Sequence, residues 1–198
     1  MTLRNVSPTI VAESAESLAA YASVSIAFET TMRVDTSAVA TSGDIRTSTL
    51  PTKLDKDYDA YPGSHPLDWP TRFNVGRWTF LAAYRAGVRV GGAVVIADDS
   101  QIELLEHRSD LALLWDLRVA PEVRGRGVGS ALICVAQEWA WSNACSEIRV
   151  ETQDINVAAC RAYARHGFRV HAVNPNAYPD LPNEVQLLWS ARLAGMAD

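Results

Sequence analysis

One stretch near the middle of the chain constrains the fold most, because it joins an apolar strand to a helix through a glycine-rich turn. Residues 111–119 form a short apolar run bounded by charge, which predicts a buried strand. Pro121 ends this strand, since proline cannot donate a hydrogen bond to a neighbouring strand. After Ser130, apolar residues recur at helical spacing, at Leu132, Val135, Ala136, Trp139 and Ala140. The stretch therefore predicts a strand, a tight turn and a helix in direct succession.

The turn between strand and helix, Arg124-Gly125-Arg126-Gly127-Val128-Gly129, has the chemistry of an anion site. Glycines allow a tight turn and a close approach of the main chain to a ligand. The first turn of a helix offers unpaired N–H groups and the positive end of the helix dipole, which suits a diphosphate. The two arginines add positive charge beside it. A plain connecting turn is the alternative, and the motif is neither a Walker A loop nor a dinucleotide fingerprint.

Two motifs carry a resemblance to a known family. The first, Arg124-x-x-Gly127-x-Gly129 after a strand ending in Leu117-Arg118-Val119-Ala120-Pro121, resembles the acetyl-CoA signature of the GNAT N-acetyltransferase superfamily. The second resembles the later motif of that family and reads Asn156-x-x-Ala159-x-x-Ala162-Tyr163-x-x-x-Gly167-Phe168. Residues 151–160 are most similar to the streptothricin acetyltransferases. The resemblance covers residues 111–189 well and the first half of the chain loosely, and Ala162 stands where the family has a bulkier residue.

The resemblance implies an α/β fold in a single domain over residues 1–198. The expected architecture is a central twisted mixed sheet of six or seven strands, splayed at its middle, with helices on both faces. Residues 111–173 would form the acetyl-CoA-binding core. Residues 35–76 would be a long insertion on the acceptor side, and proline- and glycine-rich residues 35–74 are predicted to be irregular.

The implied cofactor is acetyl-CoA, used as a co-substrate, with no metal ion. In the family, main-chain groups at positions matching Leu117, Arg118 and Val119 run alongside the pantetheine arm. The expected cofactor-binding residues are Leu117, Arg118, Val119, Arg124, Gly125, Arg126, Gly127, Val128, Gly129, Ser130, Asn156 and Tyr163. The four histidines of the chain lack the spacing of metal ligands.

Tyr163 is the predicted general acid. It lies seven residues after Asn156, so both fall on one face of the predicted helix. A phenol with a pKa of about 10 can protonate a departing thiolate whose pKa is about 8.5. The alternative is a helix tyrosine that only packs its ring. Asn156 is interpreted as a contact of the pantetheine, as a helix cap, or as both.

The expected general base is Asp116 or Glu151, and the residues leave that choice open. The resemblance slightly favours Asp116, which matches an acidic position in the streptothricin acetyltransferases. Either carboxylate could take the proton of an ammonium group, directly or through water. Each could instead be a solvated charge or a salt-bridge partner of Arg118 or Arg149. Direct attack by the amine is expected, since no cysteine or serine with a nearby base stands out.

Charge, hydropathy and cysteine content indicate which partners and which compartment the chain is suited to. The 198-residue chain has a formal net charge of −5, which argues against nucleic acid. It has no apolar run long enough to span a bilayer and no signal-peptide core. Its three cysteines lack metal spacing, which favours a reducing, cytoplasmic setting.

Further strands complete the predicted sheet. Residues 77–84 and 88–97 predict a hairpin, and residues 147–152, 168–173 and 184–193 predict three more strands. Asn156 and Gly167 predict the ends of the second helix. An exposed final strand would allow pairing across a homodimer, and the sequence leaves the oligomeric state open.

The sequence therefore predicts an N-acetyltransferase, an acyltransferase that uses acetyl-CoA. The resemblance implies a small aminated antibiotic, similar to streptothricin, as acceptor and implies a link to antibiotic resistance. Two other functions stay open. One is acetylation of a protein N-terminus or lysine, which needs an open groove. The other is a non-catalytic CoA-binding module.

Overall fold

The computed structural model describes residues 7–193. Its strands are β1 (Thr9–Glu13), β2 (Phe28–Val34), β3 (Thr47–Lys56), β4 (Thr79–Arg85), β5 (Val88–Ala97), β6 (Leu111–Val119), β7 (Glu147–Gln153), β8 (Arg169–Asn174) and β9 (Gln186–Arg192). Its helices are α1 (Leu18–Ala22), α2 (Thr36–Ser42), α3 (Val128–Ser142) and α4 (Val157–Arg165). Within this range, no helix combines the length and the hydropathy that crossing a bilayer requires.

Seven strands form one sheet in the order β1-β4-β5-β6-β7-β9-β8. All neighbours are antiparallel except β6 and β7, which are parallel. The predicted mixed sheet of six or seven strands is therefore confirmed. The predicted hairpin is also confirmed, and its turn uses left-handed backbone at Ala86 and Gly87.

The middle of the sheet is splayed, as expected. Strand β6 pairs with β7 only from Leu111 to Leu114, opposite Glu147 to Val150. Beyond these pairs β6 continues to Val119 and β7 to Gln153, but the two strands no longer pair. A gap therefore opens between the last halves of β6 and β7.

A β-bulge marks the point where the gap begins. In the pairing of β5 with β6, Leu114 and Asp116 have consecutive partners on β5, so Trp115 is the extra residue. A bulge shifts the alternation of side chains along a strand. As a result Trp115, Asp116 and Arg118 all belong to the face covered by α1, while Leu117 packs with the core under α3.

Each face of the sheet has its own core. One core lies under α3 and α4 and includes Leu132, Ala136, Cys160 and Trp189. The other lies under α1 and the short 3₁₀ turn Pro66–Thr71, and it is rich in aromatic rings: Tyr21, Trp69, Trp78 and Phe80. Helical segments therefore cover both faces, as predicted.

The prediction that residues 35–74 are irregular is wrong. They contain α2 and the ten-residue strand β3, which pairs with β2 in a separate two-stranded sheet. We call residues 28–61 the arm. The side chains of β3 are mostly exposed or half-buried and Pro51 lies within it, so the strand lacks the apolar alternation that sequence reasoning relies on.

Three ion pairs attach the arm to the main sheet, through Asp154, Glu184 and Arg118. Arg33 binds the fully buried Asp154 and the carbonyl of Asn183. Lys56 is itself buried, and its Nζ lies 2.8 Å from both carboxylate oxygens of Glu184. Buried pairs of this kind are costly to break, so they fix the position of the arm.

The predicted exposed final strand is also wrong. Strand β9 lies between β7 and β8 and pairs with both, so its two edges are satisfied. The edge of the sheet is formed by β8, whose partner on one side is β9. The chain places β8 at the edge of the sheet first, and β9 then fills the position between β7 and β8.

Candidate active site

The glycine turn has the backbone geometry that an anion site requires. Gly125 and Gly127 have φ values of +71° and +82°, which other residues adopt only under strain. A Cβ atom at either position would meet no atom within 4 Å, so the space above the turn is open. Gly127 begins α3 without a side-chain cap. The amides of the first helical turn, Val128–Ser130, therefore point to this open space.

The turn lies directly against the end of β6. A Cβ at Gly91 would stand 2.8 Å from the Arg118 carbonyl and 3.2 Å from Val128 Cγ1, so only glycine fits there. A Cβ at Gly129 would lie 3.7 Å from Val119 Cγ2. Close contact of α3 with β5 and β6 thus places the helix N-terminus beside the unpaired part of β6.

The edge of β6 that faces the gap is available to a ligand. Residues 117–119 pair with β5, opposite Ala93, Gly92 and Gly91. On their other side no strand of residues 7–193 pairs with them, since the pairing with β7 ended at Leu114, and the Val119 carbonyl is the one group there that Arg124 already bonds. An extended ligand lying in the gap could therefore take the place of a strand there.

Arg124 does not direct its side chain to the anion site. Its Nε donates to the Val119 carbonyl at 2.9 Å, and its other nitrogens donate to the carbonyls of Ala27 and Ser25. This corrects the expectation that both arginines add charge at the turn. The guanidinium instead ties the loop before β2 to the end of β6, because main-chain carbonyls left at strand ends need donors. Arg126 has an exposed side chain.

Tyr163 lies on α4, the helix that follows β7, and is close enough to Asp116 of β6 to be influenced by its charge. It is 6% exposed, and its ring packs against Phe168 and Trp189 with centroid separations of 5.6 and 6.3 Å. Burial, with smaller contributions from Cys160 and Asp116, raises the pKa of the Tyr163 phenol well above its usual range. Asn156 caps the same helix, with its Oδ1 accepting from the Ala159 amide at 3.2 Å.

Asp116 is part of a buried charge cluster. Arg118 donates to Asp116 Oδ2 through Nε at 2.9 Å and Nη2 at 2.6 Å. The same guanidinium donates to both oxygens of Asp59, at 3.0 and 3.1 Å, and lies 5.0 Å from the centre of the Tyr21 ring. Burial raises the pKa of Asp116, and the charge of Arg118 opposes that rise. The salt bridge to Arg118, which the sequence left as an alternative, is therefore present.

Glu151 has a different partner. The hydroxyl of Tyr178 donates to Glu151 Oε1 at 2.5 Å. Burial and the charge of Glu151 raise the pKa of Tyr178. Arg149, the partner considered from the sequence, binds Glu106 and Glu147 instead. Among residues 7–193, no three histidine, cysteine or acidic side chains meet as a metal site would require.

Sequence reasoning missed three residues that the fold brings to this region. Tyr58 and Asp59 come from the arm, and Tyr178 comes from the loop before β9. The only local signal was the cluster Asp57-Tyr58-Asp59-Ala60-Tyr61, where acidic and aromatic residues are concentrated within a segment taken to be irregular. Their approach to Arg118 and Glu151 depends on long-range packing that no local pattern encodes.

Comparisons with known proteins agree with this geometry. Residues 44–168 match the model of the acetyltransferase (GNAT) family. Streptothricin acetyltransferase A of Bacillus subtilis strain 168 is 40% identical over 91 residues, which are 45% of this chain and 53% of that protein. The chain thus spans about half the length of the curated relatives it matches.

Two solved structures share the fold over nearly the whole chain. A nourseothricin acetyltransferase superposes with a TM-score of 0.70 at 23% identity, over 95% of this chain and 99% of that one. A Bacillus anthracis protein assigned as a streptothricin acetyltransferase, solved with acetyl coenzyme A, gives a TM-score of 0.72 at 22% identity. That match covers 94% of this chain and 99% of the other.

Proposed function

The chain belongs to the acetyltransferase (GNAT) family, and on that premise we propose that it transfers an acetyl group from acetyl-CoA to a primary amine of a streptothricin-like antibiotic. The observation that carries the proposal is the gap between β6 and β7, which lies next to a glycine turn with open space above it. Tyr163 lies on α4, the helix that follows β7. The relatives named for streptothricin acetylation support the choice of acceptor.

The residues at the turn and along β6 fit this co-substrate. The amides of Val128–Ser130 would hold the pyrophosphate, and the unpaired edge at 117–119 would hold the pantetheine arm. When bound, acetyl-CoA supplies an activated thioester. The chain then has to bind the amine, accept its proton and supply a proton to the leaving sulfur.

Tyr163 is the proposed general acid, because its raised pKa keeps the phenol protonated at the pH of the assay. Asp116 and Glu151 remain the candidate bases. Asp116 is held by Arg118, whereas Glu151 is bonded to a neutral phenol and lies on the β7 side of the gap. No acyl-enzyme is proposed, so the amine attacks the thioester directly.

The charge of the arm supports a cationic acceptor. A cavity of about 300 Å³ opens at the base of the arm and is lined by Ala27, Phe28, Glu29, Asp55, Lys56 and Asp57. Three of these six residues are acidic, while Lys56 also lines the cavity and Lys53 pairs with Glu29 and Asp55, so a small excess of negative charge remains to attract an amine. A cytoplasmic enzyme fits the three free cysteines of the chain.

A thiol-release assay with acetyl-CoA tests the proposal. We expect turnover with streptothricin and a mass increase of one acetyl group on the antibiotic. Turnover confined to peptide N-termini or lysines would favour the protein acetyltransferase. Coenzyme A binding without turnover on any amine in the panel would favour the non-catalytic module.

A further inference from the structure

The hydroxyl of Tyr58 is a buried polar group without a partner in the described part of the chain. It is enclosed by protein and makes no hydrogen bond of acceptable geometry there. It lies beside the Asn156 side chain and close to Glu184 and Tyr163. Buried hydroxyls are normally paired, so one that is not points to a missing partner.

The ring of Tyr58 is held firmly although its hydroxyl is not. Its centroid lies 5.7 Å from that of Phe28, and Lys56 Nζ lies 5.5 Å from it. The next residue, Asp59, is bound by Arg118, and Asp57 caps the turn by accepting from the Asp59 amide at 3.1 Å. Lys56 is fixed by Glu184. Contacts on both sides therefore fix the Tyr58 ring, with its hydroxyl close to Tyr163.

We propose that the Tyr58 hydroxyl contacts the amine of the acceptor and positions it for attack. This inference rests on the proposed function, since it supplies the acceptor side of the same site. The hydroxyl lies near Tyr163, the proposed general acid, and it comes from the arm rather than from the glycine turn or β6. Burial raises the pKa of Tyr58, so the phenol stays neutral and its oxygen can accept a hydrogen bond from an N–H group.

Tyr58→Phe separates this role from a structural one. We expect kcat/KM for the acceptor to fall about tenfold, the effect of one hydrogen bond to a charged group, with acetyl-CoA affinity unchanged. We also expect the melting temperature to stay equal or rise, because the substitution removes an unpaired polar group. Tyr61→Phe is the matched control, since its hydroxyl already has a partner in Lys56, and it should leave kcat/KM within about twofold.

Two results would overturn the inference. One is a wild-type kcat/KM in Tyr58→Phe with an amine that the wild-type protein acetylates. The other, which needs no substrate, is a clear fall in melting temperature, since it would show that the hydroxyl has a partner within the protein. A wild-type protein inactive on every amine would instead refute the proposed function, and the melting measurement would still test Tyr58.

A second, independent observation concerns Arg85 at the other end of the site. This residue is 4% exposed and forms no ion pair with any carboxylate of residues 7–193, while its neighbour Arg89 is paired with Glu13. Its Nη2 donates to the Arg126 carbonyl in the glycine turn at 2.6 Å. Its Nε and Nη1 are enclosed and have no partner in the described chain.

A buried guanidinium without a counter-charge is unfavourable, and proteins rarely keep one. The hydrogen bond to the Arg126 carbonyl places the Arg85 guanidinium next to the glycine turn. We infer that Arg85 is a positioning residue and that its counter-ion is the pyrophosphate of the cofactor. Its charge stabilises the pyrophosphate across the Arg126–Gly127 peptide, to which it is hydrogen-bonded. Its Nη2 is taken by the Arg126 carbonyl, so Arg85 is inferred to act on the phosphates through its charge and through the loop.

Calorimetry with coenzyme A, which needs no acceptor, tests this inference. Arg85→Gln keeps a donor for the Arg126 carbonyl but loses the charge, and we expect its Kd to rise about tenfold with a weaker dependence on salt. Arg85→Lys keeps the charge and should stay within about threefold of wild type. Arg89→Gln is the control, because Arg89 has its own carboxylate and should not affect the Kd.

The charge claim fails if Arg85→Gln binds coenzyme A as tightly as wild type. It also fails if the lysine and glutamine variants lose affinity equally, since loop geometry alone would then be responsible. Loss of folding in Arg85→Gln would contradict the claim too, because removing an unpaired buried charge should not destabilise the protein.

Discussion

Tyr163→Phe is expected to lower kcat by about a hundredfold while leaving the affinity for acetyl-CoA nearly unchanged. Proton transfer by a positioned side chain typically contributes factors of about 10² to 10⁴. The substitution keeps the ring, which packs against Phe168 and Trp189, and removes only the hydroxyl. Steady-state thiol release and calorimetry with coenzyme A measure the two quantities separately.

The pH profile sharpens this prediction. Because burial raises the pKa of Tyr163 above its usual range, the phenol stays protonated across the range where the enzyme is stable. The wild-type rate should therefore show no alkaline loss from ionisation of this residue, and its acid limb should report the base. Tyr84→Phe is a suitable control, since that hydroxyl binds Glu13 away from the gap. Full activity in Tyr163→Phe would mean that the thiolate departs without this acid.

The parts of the fold that sequence predicted are those with strong local signals. The strand, the turn and the helix around residues 111–142 are marked in the sequence by an apolar run, by glycines and by helical periodicity. The structure has each element where its signal predicted it. The ends of α4 were predicted from Asn156, whose side chain can cap a helix, and from Gly167. In the structure Asn156 caps α4 and Gly167 has φ +83°. The proposed cofactor half of the site is built from such local units, so the elements that carry it could be predicted from the sequence.

The acceptor half depends on contacts between distant segments, which explains why it was missed. Strand β3 carries no apolar stripe because the small sheet of the arm is mostly solvated. The bulge at Trp115 re-aims Asp116, and nothing in the local sequence marks it. Whether Asp116 is free or paired depends on Arg118 and Asp59, the latter 57 residues earlier in the chain.

Arg118→Met is expected to have the largest effect on stability, lowering the free energy of unfolding by about 3–5 kcal/mol at neutral pH. The guanidinium is almost fully buried and is shared by two carboxylates, so its removal leaves Asp116 and Asp59 in a poorly solvated place without a cation. The arm would lose its attachment to β6, and acetyl transfer should fall with it. Urea unfolding measures the first effect and thiol release the second.

The pH dependence of the variant should identify the cause. In the folded protein burial already holds the pKa of Asp116 above its usual value of 3.8, so the folded state binds that proton more tightly than the unfolded chain does. The contribution of Asp116 to stability therefore falls as pH rises through its folded pKa. Without Arg118 the folded pKa of Asp116 should rise further, because the cation that opposes the effect of burial is gone, and this moves the loss of stability to higher pH.

The stability difference between Arg118→Met and wild type should consequently shrink between about pH 7 and about pH 5, as protonation removes the buried negative charge. Arg46→Met removes an exposed guanidinium paired with exposed Asp44 and should change nothing measurable at either pH. A penalty for Arg118→Met that is independent of pH would point to lost packing against Tyr21 instead. A loss of less than about 1 kcal/mol in the free energy of unfolding of Arg118→Met would show that Arg118, Asp116 and Asp59 are solvated. Only burial makes such charges costly to separate.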